Sequence, residues 1–436
     1  MKPHPHIVSA FQKELSDWRP WIGRSVVLTF AAATGLAITA FTWLAEHALA
    51  IFFRFEHLAW WAPLLWTPLL TAAIVWLTLR LAPGAAGSGI PQVIAVLDSD
   101  AVAAQRSLFV SLKLSFSKIL LCSASLLGGL SLGREGPSVQ VGAGIMLSAK
   151  RWIPASTRVS DQGLLMAGGA AGIAAAFNTP LGGIMFAIEE LSRNPEQRSN
   201  GLLLGAIVLS GLMAISVYGN NTYFGLIRIE DLSLHMLLPG LVVALASGVA
   251  GGLFARLLIS SLGEDLSRQI TAFRRLHPLR FAMSCGLGIA LIGLASGGHS
   301  YGSGYLQTRE ILAGNPEVSH LAATFRFLAT WLTVWSGVPG GLFAPSLAIG
   351  ADLGNSISAL MCYPNAATLI ALGMVGFLAA VTQTPMTAFI IVMEMVDGHA
   401  LVLSLMACAL ISSGISRLIS APLYSSLARL QMKRMS

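Results

Sequence analysis

The hydrophobic positions of this chain form long apolar runs that are separated by short polar loops. A full membrane span needs about 20 apolar residues, and several of the runs are too short, or too often interrupted by glycine and proline, to cross a bilayer as a straight helix. We therefore predict an all-α polytopic membrane protein in which some helices are broken or tilted. The apolar segments cover 25–53, 60–81, 107–130, 133–149, 163–191, 202–218, 234–262, 281–297, 321–337, 342–361, 366–396 and 399–421.

The composition agrees with this membrane assignment. Charged residues make up 11% of the 436 residues, against about 25% in a soluble domain. The 44 glycines and 19 prolines are dispersed among the apolar runs, which favours broken helices over disordered tracts. The four cysteines and nine histidines show no metal-ligand spacing, and no strand-to-helix phosphate loop is present, so we expect no metal, nucleotide or other cofactor.

The basic residues predict the orientation of the chain. They concentrate in the loops 192–200 and 263–280 and in the C-terminal tail, whereas the loop 219–233 is neutral to acidic. Because cytoplasmic loops carry the excess of Lys and Arg, we expect both termini in the cytoplasm. The expected location is the inner (plasma) membrane. The net charge of +7 then indicates orientation and not nucleic-acid binding.

The two ends of the chain carry further expectations. Aromatic and leucine residues at helical spacing alternate with basic ones over 1–24, which predicts an amphipathic helix on the cytoplasmic membrane surface. No polar domain follows Tyr424, so a C-terminal regulatory domain is not expected.

An internal repeat divides the membrane region. The run Gly133–Ala143 aligns with Gly341–Ala351, 208 residues later, and residues between Gly168 and Glu189 recur 205 residues later, ending at Glu394. We interpret this as a duplication of roughly 200 residues, with a first membrane repeat over 25–225 and a second over 226–436. Repeated, Gly/Pro-broken segments are typical of a transporter site at the bilayer midplane, although close packing of small residues is an alternative explanation.

Three Gly/Pro-rich strings stand where apolar segments begin: Gly87-Ser-Gly-Ile-Pro91, Gly133-Arg-Glu-Gly-Pro137 and Gly340-Gly-Leu-Phe-Ala-Pro345. A helix that begins inside the membrane leaves its first N–H groups unpaired, and these donors with the positive dipole end attract an anion. The strings predict an anion site made of backbone amides, those of Gly89 and Ile90 among them, with the Ser88 hydroxyl as a further donor. Three ordinary helix starts are the alternative.

Glu135 is an acid within the second string. An ionised carboxylate in the bilayer costs on the order of 2.5–3.5 kcal/mol, so acids in membrane segments are functional candidates. Ionised, Glu135 could occupy the anion site and block it; protonated, it could swing away. We therefore expect it to be both a gate and a proton carrier, with an ion pair to Arg134 or Lys118 as the structural alternative.

Glu189 and Glu190 end an apolar run, and at most one of them can face an internal path because neighbouring helical residues point about 100° apart. Glu394 is the repeat equivalent of Glu189, which indicates a structural role for Glu189 and leaves Glu190 as the candidate for proton transfer. A solvated helix end is the other interpretation of the pair.

Together, these strings and the late Tyr424 resemble the signature set of the CLC chloride channels and proton/chloride exchangers, over about residues 25–430. The resemblance implies an antiparallel duplicated helical fold and a homodimer with one anion pathway in each subunit. It also implies that Ser88 and Tyr424 coordinate chloride with the backbone amides of Leu342 and Phe343, that Glu135 is the external gate, and that Glu190 is the internal proton-transfer acid.

The function expected from this resemblance is chloride/proton antiport across the lipid bilayer. The alternative is a chloride channel, voltage-gated or passive, that acts as an electrical shunt. A membrane enzyme is not expected, since the sequence offers no paired carboxylates beside a histidine or metal cluster.

Overall fold

A computed structural model describes residues 19–98, 103–154, 157, 159–192, 201–219, 222–225, 234–263, 267–314 and 321–433. Within these ranges the chain is helical, with two isolated β-bridges, so the predicted fold class is confirmed. Most of the amphipathic helix predicted over 1–24 lies outside the described residues. The first described helix passes without a break across the predicted domain boundary at residue 24.

The first predicted repeat contains nine described α-helices. They are α1 Arg19–Leu58, α2 Pro63–Leu81, α3 Ile90–Asp98, α4 Ala103–Phe109, α5 Leu112–Leu127, α6 Glu135–Ser148, α7 Asp161–Phe177, α8 Pro180–Phe186 and α9 Gly201–Tyr218. A π-helical turn, Ala187–Leu191, continues α8.

The second predicted repeat contains ten described α-helices. They are α10 Leu237–Leu262, α11 Arg268–Leu276, α12 Pro278–Ala295, α13 Tyr305–Leu312, α14 Ala322–Ser336, α15 Phe343–Leu360, α16 Ala366–Thr382, α17 Pro385–Val396, α18 Val402–Ile419 and α19 Leu423–Lys433.

Among the described helices, seven are long and apolar enough to cross a membrane. The prediction that other segments are too short for a full span is confirmed, because helices such as α8 and α17 have only 7 and 12 residues. These short helices pack against one another and against longer neighbours.

The apolar segments 163–191 and 366–396 are each divided into successive helices, as expected for apolar segments that glycine and proline interrupt. Asn178 and Gln383 end α7 and α16 in the left-handed conformation, with φ of 58° and 60°. A Thr-Pro pair then starts the next helix at Pro180 or Pro385. Proline fits the first turn of a helix because it has no N–H to leave unpaired, so both breaks follow from the local sequence.

The two repeats pack in the same way at their centres. Helices α6 and α7 cross at Gly142 and Gly168, and α15 and α16 cross at Gly350 and Gly373. At each of these four positions a Cβ atom would overlap backbone atoms of the partner helix. These are the repeat-related positions of the alignment, so the duplication seen in the sequence is a duplication of helix packing.

Candidate anion and proton site

The three Gly/Pro-rich strings meet at the centre of the molecule. Gly87 N–H donates to Val338 O (3.2 Å) and Gly340 N–H donates to Gly87 O (3.1 Å). Gly133 and Gly341 exchange two backbone hydrogen bonds of 2.9 and 2.7 Å in an antiparallel bridge. The strings that sequence analysis proposed as separate amide sources therefore form one assembly that holds the N-termini of α3, α6 and α15 together.

Lys118 stabilises the first of these loops from behind. Its buried ammonium donates to Ala85 O (2.7 Å) and Gly87 O (2.6 Å). The Gly89 N–H donates to Gln92 Oε1 (3.0 Å), which caps the first turn of α3, and the role of this amide as an anion donor stays a prediction. Ile90, the first residue of α3, is fully buried and keeps its place in the candidate site.

Ser88 and Tyr424 come together although they are far apart in sequence. Helix α19 packs against α3, which brings the Tyr424 hydroxyl beside that of Ser88. Both side chains are buried, and neither hydroxyl has a well-formed hydrogen bond to the described residues. Because buried polar groups are normally paired, two unpaired hydroxyls side by side fit a site for an anion that accepts hydrogen bonds from both.

Leu342 and Phe343 begin α15 next to this pair, and both are 1% exposed. The Phe343 ring stacks on Tyr424 (centroids 6.1 Å apart) and contacts Phe177 and Phe186. An apolar wall of aromatic rings excludes water and strengthens the field of the helix N-terminus. The structure thus places both predicted amides at the end of a buried helix beside the two hydroxyls.

Glu135 is the first residue of α6 and is 1% exposed. The backbone N–H groups of Arg134, Glu135 and Ala344 lie within reach of its carboxylate. Its Oε2 has no hydrogen-bond partner among the described residues and packs where a Cβ on Gly133 would stand. The carboxylate therefore occupies a pocket of amides from both repeats, and Ala344 is a contributor that the sequence did not single out.

The cations proposed as alternative partners of Glu135 are used elsewhere. Arg134 pairs with Glu46 (2.9 Å) and donates to the Tyr223 hydroxyl (3.3 Å), while Lys118 binds carbonyl oxygens as described. Arg134 and Glu46 line an open cavity of about 1370 Å³. This cavity opens next to Arg134, the residue that precedes Glu135.

Glu189 and Glu394 form a reciprocal pair of helix caps. The Glu189 carboxylate accepts the N–H groups of Met386 (3.2 Å) and Thr387 (2.6 Å) at the start of α17. The Glu394 carboxylate accepts those of Leu181 (3.1 Å) and Gly182 (2.7 Å) at the start of α8. Each acid near the end of one helix caps the beginning of the other, so the two helices are antiparallel, and the structural role predicted for Glu189 is confirmed by its contacts.

Glu190 follows in the π-helical turn and is partly buried. Its charge and that of Glu135 both act on the Tyr424 hydroxyl, which places the two acids near the same tyrosine. Turns of π-helix inside α-helices occur frequently at functional sites. Within the described ranges, no group of three or more His, Cys, Asp or Glu side chains could hold a metal ion.

A comparison with protein-family models shows to which family the chain belongs. A family model described as "Voltage gated chloride channel" matches residues 70–417. The chain belongs to this family, the CLC family. It is a multi-pass membrane protein of anion transport and not an enzyme.

Relatives and solved structures extend the match over nearly the whole chain. The H(+)/Cl(-) exchange transporter ClcA of Citrobacter koseri is 31% identical over 92% of this chain and 86% of its own length, and that of Salmonella paratyphi A is 30% identical over 93% and 85%. A slow cyanobacterial Cl⁻/H⁺ antiporter superposes with a TM-score of 0.78 at 25% identity over 94% of this chain and 98% of its own. A CLC-type fluoride/proton antiporter has the same fold, with a TM-score of 0.77 at 24% identity over 93% and 97%.

Proposed function

We propose that this chain is a chloride/proton antiporter of the inner membrane, with Glu135 as gate and proton carrier and Glu190 as the internal proton-transfer group. The observation that carries the proposal is the buried Glu135 carboxylate, which lies among amides of α6 and α15 with one oxygen unpaired. A carboxylate in a pocket built for anions competes with a transported anion and is released from the pocket when it binds a proton.

The proposed anion site consists of the Ser88 and Tyr424 hydroxyls and the amides of Ile90, Leu342 and Phe343. Within it, the donors are dipoles and no lysine or arginine supplies a fixed charge, since Lys118 binds carbonyl oxygens. Several weak donors allow an anion both to bind and to leave quickly, which transport requires.

The proposed proton path uses Glu135 and Glu190, the two acids that lie near Tyr424. Glu190 takes up a proton at one membrane face and passes it to the Glu135 carboxylate, which leaves the anion pocket as the neutral acid and lets chloride enter. Glu135 then gives up the proton at the other face, and its carboxylate returns to the pocket as chloride leaves. Each acid is neutral for part of the cycle, which lowers the free-energy cost of holding it within the bilayer.

A flux experiment in proteoliposomes tests the proposal. We expect a chloride gradient to drive protons against their own gradient, and the reversal potential to shift with the pH gradient. A chloride current whose reversal potential ignores the pH gradient would identify the channel alternative. The ClcA relatives carry chloride in their names, and fluoride is included as a competing anion because a fluoride/proton antiporter has this fold.

We also infer, from the family resemblance and the distribution of basic loops, a homodimer with both termini in the cytoplasm. Light scattering of the protein in detergent should give twice the mass of one chain, 45.9 kDa, after subtraction of bound detergent. Proteolysis of oriented vesicles should remove a C-terminal tag only from the cytoplasmic side.

A further inference from the structure

Helix α11, Arg268–Leu276, stands apart from the packed helices of the fold. It lies in the connection between the spans α10 and α12, and none of its nine residues is buried. An exposed helix of this kind contributes nothing to the protein core, so its amphipathic sequence needs another explanation.

The two faces of α11 differ sharply in chemistry. Ile270, Phe273 and Leu276 recur every three residues, and Phe273 and Leu276 are 41% and 73% exposed. Arg268 and Arg275, two helical turns apart, are exposed, and helical periodicity places them on the opposite side. The helix contains three arginines and no acid, so a basic stripe runs along the side opposite the apolar one.

The neighbouring spans show where α11 lies relative to the bilayer. Exposed apolar residues follow each other every fourth position along both spans, which is the spacing of one lipid-facing helix surface. They are Leu241, Leu245, Val249 and Leu253 on α10, and Leu279, Met283, Leu287 and Leu291 on α12. The first stripe is followed by the exposed Arg256 and the second begins directly after α11. Helix α11, which connects the end of α10 to the start of α12, therefore lies at the edge of the apolar belt.

One arginine attaches α11 to the spans. Arg274 donates to Ser261 O (3.3 Å) near the end of α10, and its guanidinium lies 6.0 Å from the centre of the Phe281 ring on α12. The helix is thereby held across the ends of both spans, where the headgroup region of a bilayer begins.

We propose that α11 binds anionic phospholipid headgroups of the leaflet at this face of the membrane, with Arg268 and Arg275 as the headgroup ligands. The apolar residues Ile270, Phe273 and Leu276 insert among the acyl chains, as in interfacial amphipathic helices. Anionic lipid headgroups attract basic side chains that lie next to the membrane surface, and we therefore take lipid to be the ligand of this helix. This role is independent of the transport mechanism proposed above.

The test compares lipid retention by two variants of equal charge. Wild type, Arg268→Gln/Arg275→Gln and the control Arg54→Gln/Arg80→Gln are purified from membranes and placed in mixtures of phosphatidylglycerol and phosphatidylcholine. The control removes two exposed arginines from the ends of α1 and α2. Bound phosphatidylglycerol is counted by native mass spectrometry at low and high salt.

We expect the α11 variant to retain at least about threefold less phosphatidylglycerol than wild type, and the control to retain as much as wild type. High salt should remove the difference, because exposed charges are screened within about 10 Å at 0.1 M. Equal retention of phosphatidylglycerol by the α11 variant and wild type would overturn the proposal. That is also the result expected if the ligand of α11 were a soluble acidic protein and not a lipid. An equal loss in the control would also overturn it, since total charge alone would then explain the effect.

A second measurement does not depend on the double variant. A spin label at Leu276→Cys should be more accessible to oxygen than to a water-soluble nickel complex, and one at Thr271→Cys should show the reverse. Labels that are both water-accessible would contradict the interfacial position of α11.

Discussion

The loops that begin α6 and α15 have nearly the same backbone and different chemistry. Arg134 (φ −105°, ψ −9°) and Leu342 (φ −108°, ψ −15°) precede the two helices in matching conformations. The next residue is Glu135 in the first repeat and Phe343 in the second. Duplication therefore supplies two helix N-termini for an anion, while an ionisable side chain stands on only one of them.

The same contrast recurs at the residues that follow the reciprocal caps. Glu189 and Glu394 keep equivalent capping roles in both repeats, but the next residue is Glu190 in the first repeat and the buried Met395 in the second. The residues that build the fold are shared between the repeats, and the two acids of the proposed proton path belong to the first repeat alone.

Replacing Glu135 should have the largest effect, because the equivalent position in the second repeat has no acid. In Glu135→Ala, proton flux should fall by at least about a hundredfold, the scale of losing a positioned proton-transfer group, while chloride still moves. Phe343→Leu, the matched change in the second repeat, should keep proton coupling. Parallel chloride and pH recordings in proteoliposomes measure both, and coupled proton flux in Glu135→Ala would disprove the role of this residue.

Glu190→Gln should have the next largest effect. Proton flux is expected to fall by about a hundredfold, whereas chloride flux persists because the proposed anion ligands are untouched. Met395→Leu is the matched control at the equivalent position. If Glu190→Gln transported protons as well as wild type, the inner end of the proton path would have to be sought elsewhere.

The anion ligands provide a smaller and more graded test. Tyr424→Phe and Ser88→Ala each remove one hydroxyl, and a hydrogen bond to a charged group contributes about 1.5–3 kcal/mol, so chloride affinity should fall roughly ten- to hundredfold. Calorimetric titration with chloride measures this. Ser303 is the control, because Gly302-Ser-Gly304 repeats the Gly87-Ser-Gly89 pattern but Ser303 lines the open cavity beside Arg134. An equal loss of affinity in Ser303→Ala would contradict the assignment.

Removing either of the two reciprocal caps should lower stability by a similar amount, in contrast to the unequal effects expected for the acids of the proton path. Glu189→Ala and Glu394→Ala each leave two helix N–H groups without an acceptor, a loss of about 0.5–2 kcal/mol for a cap. Both variants should lower the apparent melting temperature in detergent by similar amounts. A marked loss in only one of them would show that the two caps are not equivalent.

The sequence predicted the parts of this site that depend on local chemistry. Ser88, Leu342 and Glu135 lie in short strings whose glycines and prolines start helices, and the duplication was visible in the alignment. Contacts between distant segments were out of its reach: Arg134 pairs with Glu46, 88 residues away, and the Ala344 amide faces Glu135. The contact of the Gly89 amide with Gln92 was likewise not expected from the sequence, and the role of this amide as an anion donor stays a prediction.

The reciprocal caps also set an order of events in biosynthesis. Leu181 must wait for Glu394, 213 residues later in the chain, before its N–H has the carboxylate that caps it. At 5–20 residues per second, synthesis leaves a delay of roughly 10 to 40 s. During that interval the start of α8 depends on water or on the translocation machinery for its hydrogen bonds, so the first repeat reaches its final form only when the second has entered the membrane.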